Sequence, residues 1–143
     1  MRIVCRPYMF TASLPPSVIA SATEALRQIR KRPELRTQLW DNVSTLYNGF
    51  ARHGFALGPQ MGPVVAIKLP SPDLAVGFWR ALLDQGVYVN LALPPATPQG
   101  TALLRCSVCA AHSRAQLEKV VAVTAEIGRE LGVIGTAELR AAV

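Results

Sequence analysis

The chain lacks any apolar stretch of the roughly 18 uninterrupted residues that a membrane helix needs, so no span is expected. It also lacks the apolar core of a signal peptide. Ahead of the small-residue triplet Ala20-Ser21-Ala22, the run is broken by Arg6, Pro7, Pro15 and Pro16, and a cytoplasmic location is the expectation. Cysteine is scarce and odd in number: Cys5, Cys106 and Cys109. Cys106-x-x-Cys109 has neither a second pair nor the histidine spacing of a zinc site, so no metal site is expected, and the thiols read as small hydrophobes in a reducing compartment. Lysine is confined to Lys31, Lys68 and Lys119. Acidic residues are few, 9 against 15 basic ones, for a net charge of +6. That imbalance invites a nucleic-acid partner, but Arg27, Arg30, Lys31, Arg32 and Arg36 cluster around Pro33 without aromatic or glycine interleaving. A solvated basic corner is the preferred reading, and no nucleic acid is expected.

What is present is an ordinary globular composition, 143 residues of which half are hydrophobic, enough to bury a core. After Pro15-Pro16, Val18, Ile19, Ala22, Ala25, Leu26 and Ile29 recur at helical spacing, with Ser13 able to cap. Pro33 opens a second helix whose stripe is Leu35, Leu39, Val43, Leu46, Tyr47 and Phe50, ending near Gly54 with His53 at its dipole end. Leu57 to Pro63 is loop by composition, and a strand over Val64 to Leu69 follows. Asp73 precedes a helix through Leu74, Phe78, Leu82 and Leu83 that Gly86 stops, and Val87 to Leu93 reads as a strand.

The prolines of Pro94 to Gly100 exclude a strand interior and predict a rigid, exposed loop. In Thr101 to Val108, alternation sets Ala102, Leu104, Cys106 and Val108 on one face and Thr101, Leu103, Arg105 and Ser107 on the other. Ser113 and Gln116 make a capping box for a last helix striped by Leu117, Val120, Val121, Thr124, Ile127 and Leu131, and His112 beside the cap reads as structural. The expected fold class is α/β in the two-layer α+β sense. Two N-terminal helices precede a β-α-β-β-α unit with a small, mainly antiparallel sheet covered by helices on one face. The expected organisation is a hinge segment over 1–15 by which the chain leaves a larger, missing domain, linking helices over 16–56, a small C-terminal domain over 57–135 and a tail over 136–143.

Four stretches, "VCRPYMFTASLPPSVIASA", "DNVSTLYNGFARHGFALGP", "VYVNLALPPATPQGTALLRCSVCAAHS" and "IGRELGVI", fall in order at fitting spacings. Together they resemble the C-terminal third of the α-oxoamine synthases, with the bacterial serine palmitoyltransferases as the best fit. The resemblance implies a fold-type I enzyme that uses pyridoxal 5'-phosphate to join an amino acid, L-serine in this branch, to a long-chain acyl-CoA with loss of carbon dioxide, as in sphingolipid base synthesis. It implies a homodimer as well. The family's cofactor lysine lies in a Ser-Lys motif upstream of "FTASLPP", and none of the three lysines matches it, so the chain by itself is expected to be inactive.

Residue by residue, the resemblance implies that Arg105, in "LLRCS", holds the substrate carboxylate, a task suited to a planar guanidinium that can bond both oxygens. The competing reading is an ion pair with an acid, although none lies on its strand. Thr11 and Ser13 match the turn whose hydroxyls approach the cofactor phosphate of the partner subunit; capping of the first helix is the equal alternative. Leu93 stands where the family has an arginine, and a leucine side chain cannot bind a carboxylate. A non-catalytic βαββα module that binds an amino acid or a protein partner is the alternative function.

Overall fold

A computed structural model describes residues 14–98 and 100–135, which fall into two compact units, one ending at Arg36 and the other beginning at Thr37. The first unit holds helix α1, Pro16–Lys31. Pro16 at its first position is preset for the helical φ and has no N–H to leave unpaired. The cap position falls on Pro15, which makes no side-chain cap bond, rather than on Ser13. Ser13 and Thr11 lie outside the described residues. No residue of α1 is buried, and its apolar stripe of Val18, Ile19, Leu26 and Ile29 is exposed. The basic corner is solvated as expected, with Arg32 Nε 3.0 Å from Glu34 Oε1 across the Pro33 break. The Glu34 carboxyl is held below its usual range, first by a hydrogen bond to its own backbone and then by Arg32.

The second unit contains the core. Helix α2, Glu34–His53, buries Asn42, Val43, Leu46, Gly49 and Phe50 and ends at Gly54, whose φ of 88° only glycine adopts readily. Strand β1, Val64–Leu69, is followed by α3, Pro72–Asp84, capped by Ser71 through the Leu74 N–H and stopped where Gly86 takes a φ of 74°. Strands β2, Asn90–Ala92, and β3, Ala102–Ser107, precede helix α4, Arg114–Glu130. The sheet order is β1-β3-β2 and every pairing is antiparallel. One face carries Val65, Ile67, Leu69, Ala102, Leu104 and Cys106, all buried. Helices cover that face: Phe50, Phe55 and Phe78 meet edge to face, joining α2 to α3. The other face holds exposed or half-buried residues. The two-layer α+β architecture is therefore the expected one.

Three expectations need adjusting. The second strand is three residues long, not Val87 to Leu93, although Val87 and Val89 are buried and Tyr88 is exposed in the alternation of a strand. The cause is competition for backbone groups: the Val89 carbonyl accepts the indole N–H of Trp79 at 3.0 Å, and the Val87 N–H donates to Leu82 at the end of α3. The third strand is one residue shorter at each end than Thr101 to Val108. The proline loop is not exposed throughout. Thr97 is buried and donates to the Thr101 carbonyl at 2.8 Å, while the Thr101 hydroxyl donates to Pro98 at 2.7 Å.

Candidate functional site

Arg105 lies at the centre of the open sheet face. Its β1 neighbour in the register is Ala66 and its β2 neighbour is Asn90, so the residues beside it are one without polar side-chain atoms and one neutral amide. The guanidinium is exposed, and no ion pair or hydrogen bond joins it to another described residue. The acid that would have made it a structural ion pair is missing from its surroundings among the described residues. A solvated guanidinium with no acidic partner among the described residues keeps its donors available to an anion. Leu93 is half-buried and packs against the core, so the position where the family has arginine serves packing in this chain.

A cleft lies elsewhere, at the end of the sheet where β2 fails to continue. It encloses about 350 Å³ between the 86–89 segment, the end of β3 and the first turns of α4. Its polar lining is Tyr88, Ser107, His112, Gln116 and Lys119, and Arg105 is not part of it. His112 is tied into the turn before α4: its Nδ1 accepts from the Cys109 N–H at 3.2 Å, and its carbonyl accepts from Asn42 Nδ2 at 2.9 Å. Asn42 also donates to the Cys109 carbonyl at 3.0 Å, and the capping box of Ser113 and Gln116 starts the helix directly after. This geometry fits the structural reading of His112.

A pyridoxal phosphate site needs a lysine for the Schiff base and a partner for the pyridine nitrogen, set together in one cavity. The described residues do not fit that need. Lys31, Lys68 and Lys119 are exposed on α1, β1 and α4, and the one that borders a cleft has no acid among the residues lining it. Cys106 is buried, and desolvation pushes its thiol up to about 12, so it is a neutral core group and not a nucleophile. Cys109 is exposed and free. Among the described residues no group of three or more potential ligands could hold a metal, and no helix is long and apolar enough to cross a membrane.

Residues 1–123 match the family "Aminotransferase class I and II", and the chain belongs to it. Within that family it is similar to the serine palmitoyltransferase of Caulobacter vibrioides, 52% identical over 94% of this chain and 33% of that protein. It is likewise similar to the serine palmitoyltransferase of Sphingomonas paucimobilis, 49% identical over 94% of this chain and 33% of the relative. A solved serine palmitoyltransferase carrying pyridoxal phosphate superposes with a TM-score of 0.83 at 49% identity, over 93% of this chain and 34% of its own. The chain thus spans about a third of the length of the relatives it matches.

Sequence reasoning passes over Asn90, the cross-strand neighbour of Arg105, and Tyr88, two residues before it. Asn90 shares its face, and Tyr88, 74% exposed, donates its phenolic O–H to Asn90 Oδ1 at 3.2 Å. Alternation alone places Tyr88 and Asn90 on one face of their strand. It does not place that face next to Arg105, because the register depends on how the 93–101 connection closes.

Proposed function

We propose that this chain forms the small-domain third of a pyridoxal-phosphate-dependent decarboxylating acyltransferase of the serine palmitoyltransferase type, condensing L-serine with a long-chain acyl-CoA. The cofactor, its lysine and the acyl-CoA site belong to the other two thirds of such an enzyme, and the active form is a cytoplasmic homodimer. The organisation is a hinge over 1–15, linking helices over 16–56, the small domain over 57–135 and a tail over 136–143. Thr11 and Ser13 approach the cofactor phosphate of the partner subunit. Arg105 holds the substrate carboxylate. The observation that carries this reading is the exposed guanidinium of Arg105, centred on the open sheet face with no acid among its described neighbours.

This chain's own contribution to the chemistry is orientation. Two parallel N–H bonds from one planar group would fix both oxygens of the carboxylate, and so restrict how the amino acid can turn about its Cα. The cofactor, when bound, supplies the electron sink for decarboxylation.

The test is a chimera in which the matching third of the Caulobacter vibrioides enzyme is replaced by this chain. The chimera is expected to release carbon dioxide from L-serine in the presence of palmitoyl-CoA. In it, Arg105→Ala should weaken L-serine binding by roughly 2–4 kcal/mol, about 30- to 700-fold, with cofactor affinity little changed. Arg105→Lys should recover part of the loss, since an ammonium supplies charge without the fork. A folded, cofactor-loaded chimera without activity would reject the reading, as would serine affinities equal in all three proteins.

A further inference from the structure

Asn90 is the direct cross-strand partner of Arg105. On the β1 side of β3, the Val108 N–H donates to the Pro63 carbonyl. Because the two sides of a strand alternate, Arg105 turns its backbone N–H and C=O toward Asn90 and both side chains rise from the same face. Their Cβ atoms are then about 5 Å apart, close enough for two side chains to grip one small group.

The Asn90 amide is already oriented. Its Oδ1 accepts from Tyr88, so Nδ2, with two N–H donors, points away from that bond and has no partner among the described residues. A carboxylate offers about four acceptor positions, and a guanidinium fork fills two of them. In this chain Leu93 is engaged in packing, so no second guanidinium is available from that position to fill the others.

We propose that Asn90 is the second donor to the substrate carboxylate, binding through Nδ2 beside Arg105, with Tyr88 as the residue that positions it. The inference rests on the reading of Arg105 above. One cation and one neutral amide meet one anion, so the net charge at the site stays balanced, and the Tyr88 bond keeps the amide carbonyl, which would repel a carboxylate, turned away from it.

The chimeric holoenzyme tests this with two ligands: L-serine, and ethanolamine, which keeps the amine and the hydroxyl but has no carboxylate. Spectral titration of Asn90→Ala should give L-serine affinity weaker by about 10- to 100-fold, the loss of one hydrogen bond to a charged group, with ethanolamine unchanged. Asn90→Asp should lose more, because it sets a like charge against the ligand. Tyr88→Phe should lose about 2- to 5-fold, again for L-serine only, since it frees the amide to rotate without removing it. If Asn90→Ala is too unstable to purify, the other two variants carry the test through the same contrast of ligands. Weakening of both ligands alike would mean a structural role and overturn the proposal. Unchanged L-serine affinity in the Asn90 and Tyr88 variants, with Arg105→Ala impaired, would overturn it and leave the Arg105 reading standing. A flat response to Arg105→Ala would remove both.

Discussion

Cys106 is the residue whose chemistry the core most alters. It is 5% exposed, and burial raises its thiol from 9.0 to about 12. Since the folded value is above the unfolded one, its contribution to stability is intact below pH 9 and is lost as the pH rises toward 12, when only the unfolded chain ionises there. In urea titrations of wild type and Cys106→Ala, the stability difference should shrink by about 1.4 kcal/mol per pH unit above pH 9. A difference constant from pH 8 to 11 would contradict the burial argument. Its burial can be read from the alternation of Thr101 to Val108, as can the opposite placement of Arg105. Asn42 cannot be read that way: its two bonds reach carbonyls 67 and 70 residues away, and nothing in its local sequence marks it off from a solvent-facing helix polar.

At the level of elements, the local signals hold where one side chain decides the outcome. The Ser113 and Gln116 box starts α4 because both of its bonds lie within four residues, and Gly54 and Gly86 end helices because of their own φ. The length of β2 is set instead by a tertiary competitor, the Trp79 indole, which periodicity cannot reveal. Packing between α2 and α4 hides a similar requirement. A Cβ placed on Gly49 would stand 2.6 Å from Val121 Cγ2, and a β-branched side chain on a helix has little rotamer freedom with which to retreat. Gly49→Ala should therefore cost roughly 1–3 kcal/mol despite its better helix propensity. The double variant Gly49→Ala/Val121→Ala should lose less than the two single changes summed, measured by denaturant midpoints; simple additivity would place the strain elsewhere.

At the scale of the whole molecule, the three lysines have a direct consequence: all are exposed, and among the described residues none shares a cleft with an acid. The purified chain mixed with pyridoxal phosphate should show no lysine-bound absorbance band that survives gel filtration and no acyltransferase activity. A stable band lost on replacing a single lysine would contradict this. The sheet also controls how the molecule can meet others. On the outer side of β1, the Lys68 N–H donates to the Ala56 carbonyl and the Gly58 N–H to the Ala66 carbonyl, with Leu57 bridged to Ile67. The opposite rim, β2, presents only three residues before its neighbours leave the extended ladder. One rim is thus occupied by its own chain and the other is too short to template a strand, so stacking into extended fibrils by backbone pairing has no long starting edge among the described residues. What the described residues leave open to another surface is instead side chains, on the open sheet face and along the exposed stripe of α1, and the fit of side chains depends on the shape of what meets them and not on the universal pattern of peptide groups.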